Sequence, residues 1–286
     1  MIITADQAPT LSPVFQGRKG RLLFNLALRV TGIDNINYTH QRLEDAGITP
    51  GPAFAKAILD DIDVDFLVGN ARQLEQLPEG PFIVIANHIY GHIDGICLVD
   101  LFGHQRPHSK VMVNEFLMWI KGLAPSFIAV NPTLSERKGA TSTSINGVKS
   151  ALQQLKSGEP LCIFPSGAVA DVKPRQHWTL SEREWQDAAV RLIRKARVPV
   201  IPVRFFDHNS AFYYGLGLID YRVRFARLFH EMYNKRGTHP RVGIGTPISV
   251  EQQDAVPDSE FKQFLRQSVY QMPLPDQFIK RSELWK

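Results

Sequence analysis

Cysteine is scarce in this sequence, and the few cysteines present do not form a disulfide framework. Cys97 and Cys162 are the only two among 286 residues, and each lies inside an apolar run, "GICLV" and "LCIF" respectively. Cysteines placed in this way are typical of buried free thiols in a reducing compartment. The sequence therefore excludes a small fold held together by disulfides and a zinc knuckle built from closely spaced cysteine pairs.

Long hydrophobic runs are also missing, and so is a leader-like start. No segment approaches the roughly 18 to 20 consecutive apolar residues that span a bilayer. The opening segment, "MIITADQAPTLSPVF", has no basic start followed by an apolar stretch. We therefore expect a cytoplasmic protein, either soluble or peripheral on the inner face of the cell membrane, that does not cross the membrane.

Charge of either sign is moderate, with a small basic excess. The formal net charge is +5, and 44% of the residues are hydrophobic, which suits a globular chain with a sizeable core. A basic excess favours an anionic partner, which leaves nucleic acid, a phosphorylated substrate or an anionic lipid surface as alternatives. Composition alone does not choose among these partners.

The first 75 residues differ in pattern from the rest of the chain. Residues 1–75 are predicted to be a helical segment, and its stretch "GRLLFNLALRVTG", with nearby arginines, is a candidate for membrane association. From residue 76 to residue 286, short apolar runs alternate with helical patterns. This alternation predicts one α/β domain with a mostly parallel central sheet flanked by helices. The predicted strands are residues 82–86, 110–113, 127–130, 161–164, 199–205 and 241–244.

Three further segments carry specific expectations. "STSINGVKSALQQLKSG" has helical spacing and a stop at Gly158. "SEREWQDAAVRLIRKA" is also predicted to be helical, with Ser181 and Glu184 as a capping box at its start. The C-terminal "PLPDQFIKRSELWK" is expected to be irregular.

The segment with the most chemistry is "ANHIYGHIDG", residues 86–95, which directly follows a predicted strand. Ligands of open α/β sheets bind beyond the carboxyl ends of the strands, and this is where His88, His92 and Asp94 stand. Three interpretations compete for these residues: metal ligation, acid/base catalysis and an ordinary polar turn.

The metal interpretation rests on the spacing of His88 and His92. Histidines four apart on a helix can share a metal, and Asp94 could add a carboxylate. Gly91 lies between them and favours a loop instead, and the later histidines form no comparable cluster. A metal-dependent hydrolase using His88, His92 and Asp94 therefore stays as an alternative.

The acid/base interpretation needs one histidine and a carboxylate that fixes its tautomer. His88 and Asp94 meet this need if the loop turns back on itself, which Gly91 permits. The sequence has no G-x-S-x-G elbow, so His88 would deprotonate a substrate hydroxyl that attacks an acyl or phosphoryl donor directly.

At this point the sequence shows a resemblance to a known family. "IVIANHIYGHIDGICL" resembles the first block of the glycerolipid acyltransferase superfamily, the lysophosphatidic acid acyltransferase-like enzymes. The common form of that block has four residues between its histidine and aspartate, whereas five separate His88 from Asp94 here. The sequence is more similar to the hemolysin-like or lyso-ornithine-lipid O-acyltransferase branch, which carries the extra residue. In that comparison His92 occupies a position often held by glycine.

Three later segments resemble the remaining blocks of the superfamily in order. "APSFIAVNP" corresponds to the second block but lacks the arginine that grips substrate phosphate, for which Arg137 or Lys138 could substitute. "LCIFPSGAVADV" resembles the third block, with Ser166 where many members have glutamate. "VPVIPV" matches the fourth block, so the similarity covers roughly residues 70–250.

The resemblance implies a glycerol-phosphate acyltransferase-like fold and an O-acyltransferase activity. An acyl chain would move from acyl-CoA or acyl-carrier protein to a hydroxyl of a lyso-lipid, with His88 as base and Asp94 as its partner. The implied partners are the lyso-lipid, the acyl donor and a membrane surface rather than nucleic acid, with no bound cofactor and no metal. An inactive lipid-binding relative is a further alternative.

The resemblance also implies substrate-binding residues around this pair. Backbone N–H groups near Ser166 and Gly167 would bind a developing oxyanion or an anionic head group. Two basic residues that follow would meet phosphate of the donor. The full implied set is Asn87, Gly91, Phe164, Pro165, Ser166, Gly167, Lys173 and Arg175.

Overall fold

The computed structural model describes residues 16–131, 142–173, 178–219 and 221–285. Its strands are β1 (Leu67–Gly69), β2 (Ile83–Ala86), β3 (Lys110–Asn114), β4 (Phe127–Val130), β5 (Leu161–Ile163), β6 (Asp171–Lys173), β7 (Thr179–Ser181), β8 (Val200–Phe205), β9 (Arg241–Ile244) and β10 (Phe278–Lys280). Its α-helices are α1 (Gly17–Thr31), α2 (Ile33–Asp45), α3 (Pro52–Asp61), α4 (His92–Gln105), α5 (Ser142–Lys156), α6 (Asp187–Ala196), α7 (Ala211–Ile219), α8 (Tyr221–Asn234), α9 (Val250–Asp254) and α10 (Asp258–Tyr270).

Within these residues, eight strands form one sheet in the order β10-β1-β9-β8-β2-β5-β3-β4. The five strands from β8 to β4 all run parallel to one another. Antiparallel pairing occurs where β9 meets β8 and where β10 meets β1. The predicted α/β class with a mostly parallel sheet is therefore confirmed, and each of the six predicted strands is present to within one residue at either end.

The two central strands β2 and β5 are apolar along their whole length because helices cover both faces of the sheet. All four residues of β2 are buried. Val84 and Ala86 belong to the core cluster beneath α2, α3, α4 and α8, whereas Ile83 and Ile85 belong to the cluster beneath α5, α6 and α10. The alternation of side chains along β2 thus places the strand in the middle of a three-layer arrangement.

The N-terminal helices lie against this body of the protein. α3 packs on α4, and α1 packs on α2 and α8. The boundary at residue 75 stays a prediction, and β1, which precedes it, is hydrogen-bonded into the central sheet. Among the described residues, no helix combines the length and the hydrophobicity that a bilayer-spanning segment requires.

Two local predictions are wrong, the first of them in part. The C-terminal tail is irregular only as far as residue 277, because β10 then pairs with β1 and the buried Arg281 donates to Asp100 at 3.0 Å. The predicted capping box is absent, because Ser181 ends β7 and the helix begins only at Asp187. Trp185, assigned to that helix by spacing, is instead buried in the preceding extended segment.

Candidate active site

The His88 loop is fixed to the sheet by the residue that precedes it. Asn87 directly follows β2 and forms a two-way amide pair with Phe205 at the end of β8. Its Nδ2 donates to the Phe205 carbonyl oxygen at 2.9 Å, and its Oδ1 accepts the Phe205 N–H at 2.7 Å. Asn87 is buried, so its contribution is to join the carboxyl ends of two adjacent strands.

His88 and Asp94 meet as the sequence predicts. Nδ1 of His88 lies 2.9 Å from Oδ2 of Asp94, whose side chain is fully buried. A carboxylate accepts but does not donate, so this contact places the proton on Nδ1 and makes Nε2 the basic nitrogen of a neutral ring. The His88 side chain keeps 19% of its surface exposed, and Nε2 has no protein partner within the described residues.

The same aspartate closes the loop. Oδ2 of Asp94 accepts the main-chain N–H groups of Ile89, Tyr90 and Gly91 at 2.9, 2.9 and 3.0 Å. Asp94 is the third residue of α4, so its carboxylate also lies at the helix N-terminus, where unpaired N–H groups favour negative charge. Ring orientation and loop shape therefore depend on one oxygen atom.

Gly91 occupies a backbone conformation that this closure requires. Its φ is +90°, and a Cβ built there would lie 2.9 Å from Cδ2 of Leu228 on α8. Both the dihedral angle and the close approach of α8 exclude a side chain. The predicted turn at Gly91 is thus present, and its role is to shape the loop.

Phe164 forms one wall beside the His88 ring. Its ring stacks on that of His88 with centroids 4.2 Å apart and an interplanar angle of 26°. Pro165 follows it, and its carbonyl oxygen accepts the Gln186 N–H at 2.9 Å. The third block of the predicted site therefore does lie next to the first.

The expected oxyanion donors need a correction. The N–H of Gly167 donates to the Phe164 carbonyl oxygen at 2.9 Å, in a turn where Gly167 has φ +65°. This N–H is therefore not available to an oxyanion. Ser166 is buried, and its hydroxyl donates to the carbonyl oxygen of Ala168 at 3.0 Å. The main-chain N–H of Ser166 is the donor left in this turn without a partner among the described residues.

Of the two predicted basic residues, Lys173 lies within the described residues and contacts a main-chain oxygen. Lys173 Nζ donates to the main-chain carbonyl oxygen of Glu182 at 2.7 Å, so it joins β6 to the end of β7. Arg175 lies outside the described residues, as do Arg137 and Lys138, which were considered as replacements for the missing second-block arginine.

His92 points into a different environment from His88. Its ring stacks on Phe229 with centroids 4.5 Å apart, and desolvation lowers the pKa of His92 to about 4. It lines a small cavity of about 30 Å³ together with His40, with apolar residues of α2, α4 and α8 such as Ile36, and with Leu117 from the segment that follows β3. In the described parts of the chain, no three His, Cys, Asp or Glu side chains come close enough together to hold a metal ion.

A buried glutamate next to the loop was missed by the sequence analysis. The Glu182 side chain accepts the main-chain N–H of His88 through Oε1 and the hydroxyl of Tyr270 through Oε2, and both contacts are short. Glu182 stands in "SERE", where nothing in the sequence separates it from the exposed Glu184 two residues later.

Comparison with known proteins agrees with this geometry. A family model described as "Acyltransferase" matches residues 69–205. The chain is 27% identical over 231 residues to the lyso-glycine lipid O-acyltransferase of Bacteroides thetaiotaomicron, covering 78% of this chain and 80% of that protein. It is also 27% identical over 239 residues to the protein of the same name from Phocaeicola vulgatus, with 80% and 81% covered.

The family match and the two relatives together show that this chain is an acyltransferase. The region of the acyltransferase that matches the family model runs from β1 to the end of β8. It contains the His88–Asp94 pair, the Phe164 wall and Glu182, whereas Tyr270 on α10 lies outside it. The acyltransferase thus completes the surroundings of its His88 loop with a helix from beyond the matched region.

Proposed function

We propose that this acyltransferase moves a fatty acyl chain from acyl-CoA or acyl-carrier protein to a hydroxyl of a lyso-lipid, with His88 as the general base. The observation that carries the proposal is the 2.9 Å contact between His88 and a buried Asp94, which leaves Nε2 of a half-buried ring facing no protein partner. The two relatives named as lyso-glycine lipid O-acyltransferases make a lyso-amino lipid the first acceptor to test.

The proposed reaction needs one proton carrier and no covalent enzyme intermediate. Nε2 of His88 takes the proton of the acceptor hydroxyl as its oxygen attacks the thioester carbonyl carbon. Collapse of the tetrahedral intermediate breaks the carbon–sulfur bond, and the departing thiolate receives the proton back from the imidazolium. Asp94 stabilises that imidazolium and keeps the ring oriented throughout, as a buried carboxylate does in other histidine-based acyl transfer sites.

Most of the remaining implied residues are proposed to act by shaping the site or through a main-chain donor. Asn87 and Gly91 hold the loop, and the Phe164 ring provides an apolar wall next to the reacting carbonyl. The N–H of Ser166 is the proposed donor to the oxyanion, in place of Gly167. Arg175 keeps its proposed role toward donor phosphate on sequence grounds alone.

The apolar cavity beside His92 is the proposed binding site of the acyl chain. His92 belongs to the same loop-and-helix unit as His88, and the cavity walls are almost entirely hydrocarbon. Burial of each methylene group there would contribute roughly 0.8 kcal/mol to binding. We propose that the chain enters along this path and widens it.

Exposed apolar side chains on neighbouring elements support the proposed membrane surface. Leu22 on α1 is 71% exposed and Ile219 at the end of α7 is 81% exposed, and both helices adjoin α8. Exposed basic residues, Arg18 and Lys19, lie one turn from Leu22. Apolar anchors flanked by basic residues suit the interface of an anionic bilayer.

Within the superfamily, we propose that the chain belongs to the hemolysin-like branch. The five residues between His88 and Asp94 and the buried Ser166 at the third block support this placement. A glutamate at position 166 would have to place a charge where the serine is 1% exposed.

The test is acyl transfer by purified protein, with labelled acyl-CoA and acyl-carrier protein offered to a panel of lyso-amino lipids and lysophospholipids. We expect transfer by the wild-type protein, transfer that persists in EDTA, and loss of at least about 100-fold in His88→Ala, the scale of general-base catalysis. Activity that EDTA abolishes and added metal restores would move the assignment to the metal-dependent alternative. No transfer to any acceptor would favour the inactive lipid-binding relative.

A further inference from the structure

A second buried carboxylate contacts the His88 loop independently of Asp94. Glu182 directly follows β7, and its side chain is 1% exposed. Oε1 accepts the main-chain N–H of His88, and Oε2 accepts the hydroxyl of Tyr270, the last residue of α10. Each carboxylate oxygen thus has its own donor, and the two donors come from distant parts of the chain.

The contact is made to the main chain of His88 and not to its ring. The other polar group of the His88 backbone, its carbonyl oxygen, accepts the N–H of Ala170 at 2.8 Å. Both backbone groups of His88 are therefore held by the segment that surrounds the β6–β7 hairpin. Phe164 and Asp94 contact the ring, and Asp94 also accepts the main-chain N–H groups of the three residues that follow His88. One set of contacts sets the direction of the imidazole, and the other sets where its Cα lies.

The hydrogen bonds to the buried carboxyl group of Glu182 offset part of the effect of its burial. Burial is the largest influence on the pKa of Glu182 and leaves it raised, and the charge of Asp94 acts in the same direction, whereas hydrogen bonds from Tyr270 and from the His88 N–H lower it. The ammonium of Lys173 donates to the main-chain oxygen of Glu182, and the guanidinium of Arg266 lies 5.1 Å from the centre of the Tyr270 ring. A buried carboxylate without donors is strongly disfavoured, so the two hydrogen bonds of Glu182 are what make this position possible.

We propose that Glu182 is a positioning residue for His88, which fixes the main chain of the catalytic loop and couples it to α10 through Tyr270. The proposal rests on the proposed function of His88 as general base. Its physical basis is that a displacement of about 1 Å in a catalytic group can reduce the rate roughly 100-fold. Glu182 itself touches no substrate in this scheme, so its effect is on the rate of the chemical step and not on substrate affinity.

Three substitutions separate positioning from a general loss of stability. Glu182→Gln keeps an acceptor for the His88 N–H and can still pair with the Tyr270 hydroxyl. Glu182→Met fills a similar volume without a strong acceptor. Tyr270→Phe leaves Glu182 in place and removes only the second donor. Glu184→Ala is the matched control, since it lies two residues away and its carboxylate is 79% exposed.

Steady-state kinetics, normalised to the folded fraction of each variant, give the first readout. In Glu182→Met we expect kcat to fall about 30- to 100-fold with the KM of both substrates within two-fold, because the lost contact orients the base and does not bind substrate. Glu182→Gln should restore kcat to within about five-fold of wild type, and Tyr270→Phe should lower it about five-fold. Wild-type kcat in a folded Glu182→Met protein would overturn the proposal.

Amide hydrogen exchange gives a second readout that needs no activity. Glu182→Met should speed exchange at the His88 N–H at least about ten-fold relative to the N–H of Ile85 in β2, while Glu182→Gln should not. Tyr270→Phe should produce a smaller increase, and it carries the test if Glu182→Met does not fold. Unchanged exchange in both variants would show that Glu182 does not hold the loop. If wild type transfers no acyl group, the proposed function fails, and the exchange data still decide the role of Glu182.

Discussion

Nδ1 of His88 lies 2.9 Å from Oδ2 of Asp94, and that single oxygen also accepts three consecutive main-chain N–H groups. The other carboxylate oxygen, Oδ1, is buried and has no hydrogen-bond partner among the described residues. The pairing of the ring and the closure of the loop therefore cannot form separately. A substitution at Asp94 that retains one acceptor oxygen can separate its structural role from its charge.

We expect Asp94→Asn to keep the loop closed and lose most of the activity. The amide oxygen can replace Oδ2 and accept all four donors, while the NH₂ group takes the place of the unpartnered Oδ1. The neutral amide no longer stabilises an imidazolium, so kcat should fall about 100-fold or more with little change in KM. The measurements are steady-state acyl transfer and the thermal unfolding midpoint.

Asp94→Ala is the comparison for this prediction, because it removes the acceptor as well as the charge. It should lose both activity and several degrees of thermal stability. If Asp94→Asn were as active as wild type, the charge of Asp94 would have no part in catalysis.

Gly91→Ala should damage both stability and activity. The backbone at φ +90° is unfavourable for alanine by about 1 to 2 kcal/mol, and the new Cβ would lie 2.9 Å from Leu228. We expect the free energy of unfolding to fall by at least about 2 kcal/mol and kcat to fall with it. Denaturant unfolding and acyl transfer measure the two effects.

Gly95→Ala, in the first turn of α4 just after Gly91, is the matched control. A Cβ at Gly95 meets no atom within 4 Å, and alanine favours the helix over glycine, so stability should stay equal or rise. The double variant Gly91→Ala/Leu228→Ala should recover only the part of the lost unfolding free energy that comes from the clash between the new Cβ and Leu228, and not the part that comes from the backbone angle. Equal stability of Gly91→Ala and Gly95→Ala would refute the closure argument.

Local sequence pattern was sufficient for the features that depend on neighbouring residues. The strand that ends at Ala86 is a buried apolar run, and the turn at Gly91 brings His88 and Asp94 together within seven residues of chain. Parallel strands place their carboxyl ends at one edge, which is why the Phe164 segment after β5 was expected beside the first block.

Features that depend on distant pairing were not predictable in this way. Glu182 meets Tyr270 across 88 positions, and no periodicity connects them. β10 has only three residues, two of them exposed, and it becomes a strand only because β1 offers an open edge. The Gly167 N–H was expected to face a ligand, but the turn it belongs to uses that donor internally. In each of these three cases the structure and contacts of the residue depend on residues that are distant in sequence or on the geometry of the turn, neither of which a local sequence pattern predicts.

Stability should fall as the pH is lowered, and His40 should account for a measurable share. Desolvation lowers the pKa of the buried His40 from 6.5 to about 4, so the folded state resists its protonation. Above pH 6.5 this histidine is neutral in both the folded and the unfolded state, and the protein loses stability as the pH falls from 6.5 toward 4. Between pH 7 and pH 5 the titration of His40 should lower the free energy of unfolding by about 2 kcal/mol.

His40→Leu isolates this share, because other groups also titrate in the range. Its unfolding free energy, measured in urea at pH 7 and pH 5, should decrease by about 2 kcal/mol less than that of wild type. His239→Leu, which removes an exposed histidine, serves as the control. The same decrease in His40→Leu and wild type would contradict the assignment.

Filling the cavity beside His92 should shorten the preferred acyl chain. Leu117 lines this cavity, and Met118, the next residue, lines a separate surface hollow near β4. Leu117→Trp should lower kcat/KM for long-chain donors about ten-fold and spare short-chain donors, since each excluded methylene forfeits roughly 0.8 kcal/mol. Met118→Trp should leave chain preference unchanged. An equal loss for all chain lengths in Leu117→Trp would place the acyl chain elsewhere.

Ile219 should be an anchor on anionic membranes. It is 81% exposed at the end of α7, and transfer of such a side chain into the interface contributes about 1.5 to 3 kcal/mol. Ile219→Asp should therefore weaken binding to vesicles of anionic phospholipid at least about ten-fold in a sedimentation assay. Ile279→Asp is the matched control, because that isoleucine is 44% exposed on the edge strand β10. Transfer to a short, water-soluble acceptor should be unchanged in Ile219→Asp, since this residue lies outside the proposed catalytic unit. Equal vesicle binding by both variants and wild type would remove α7 from the membrane-facing surface.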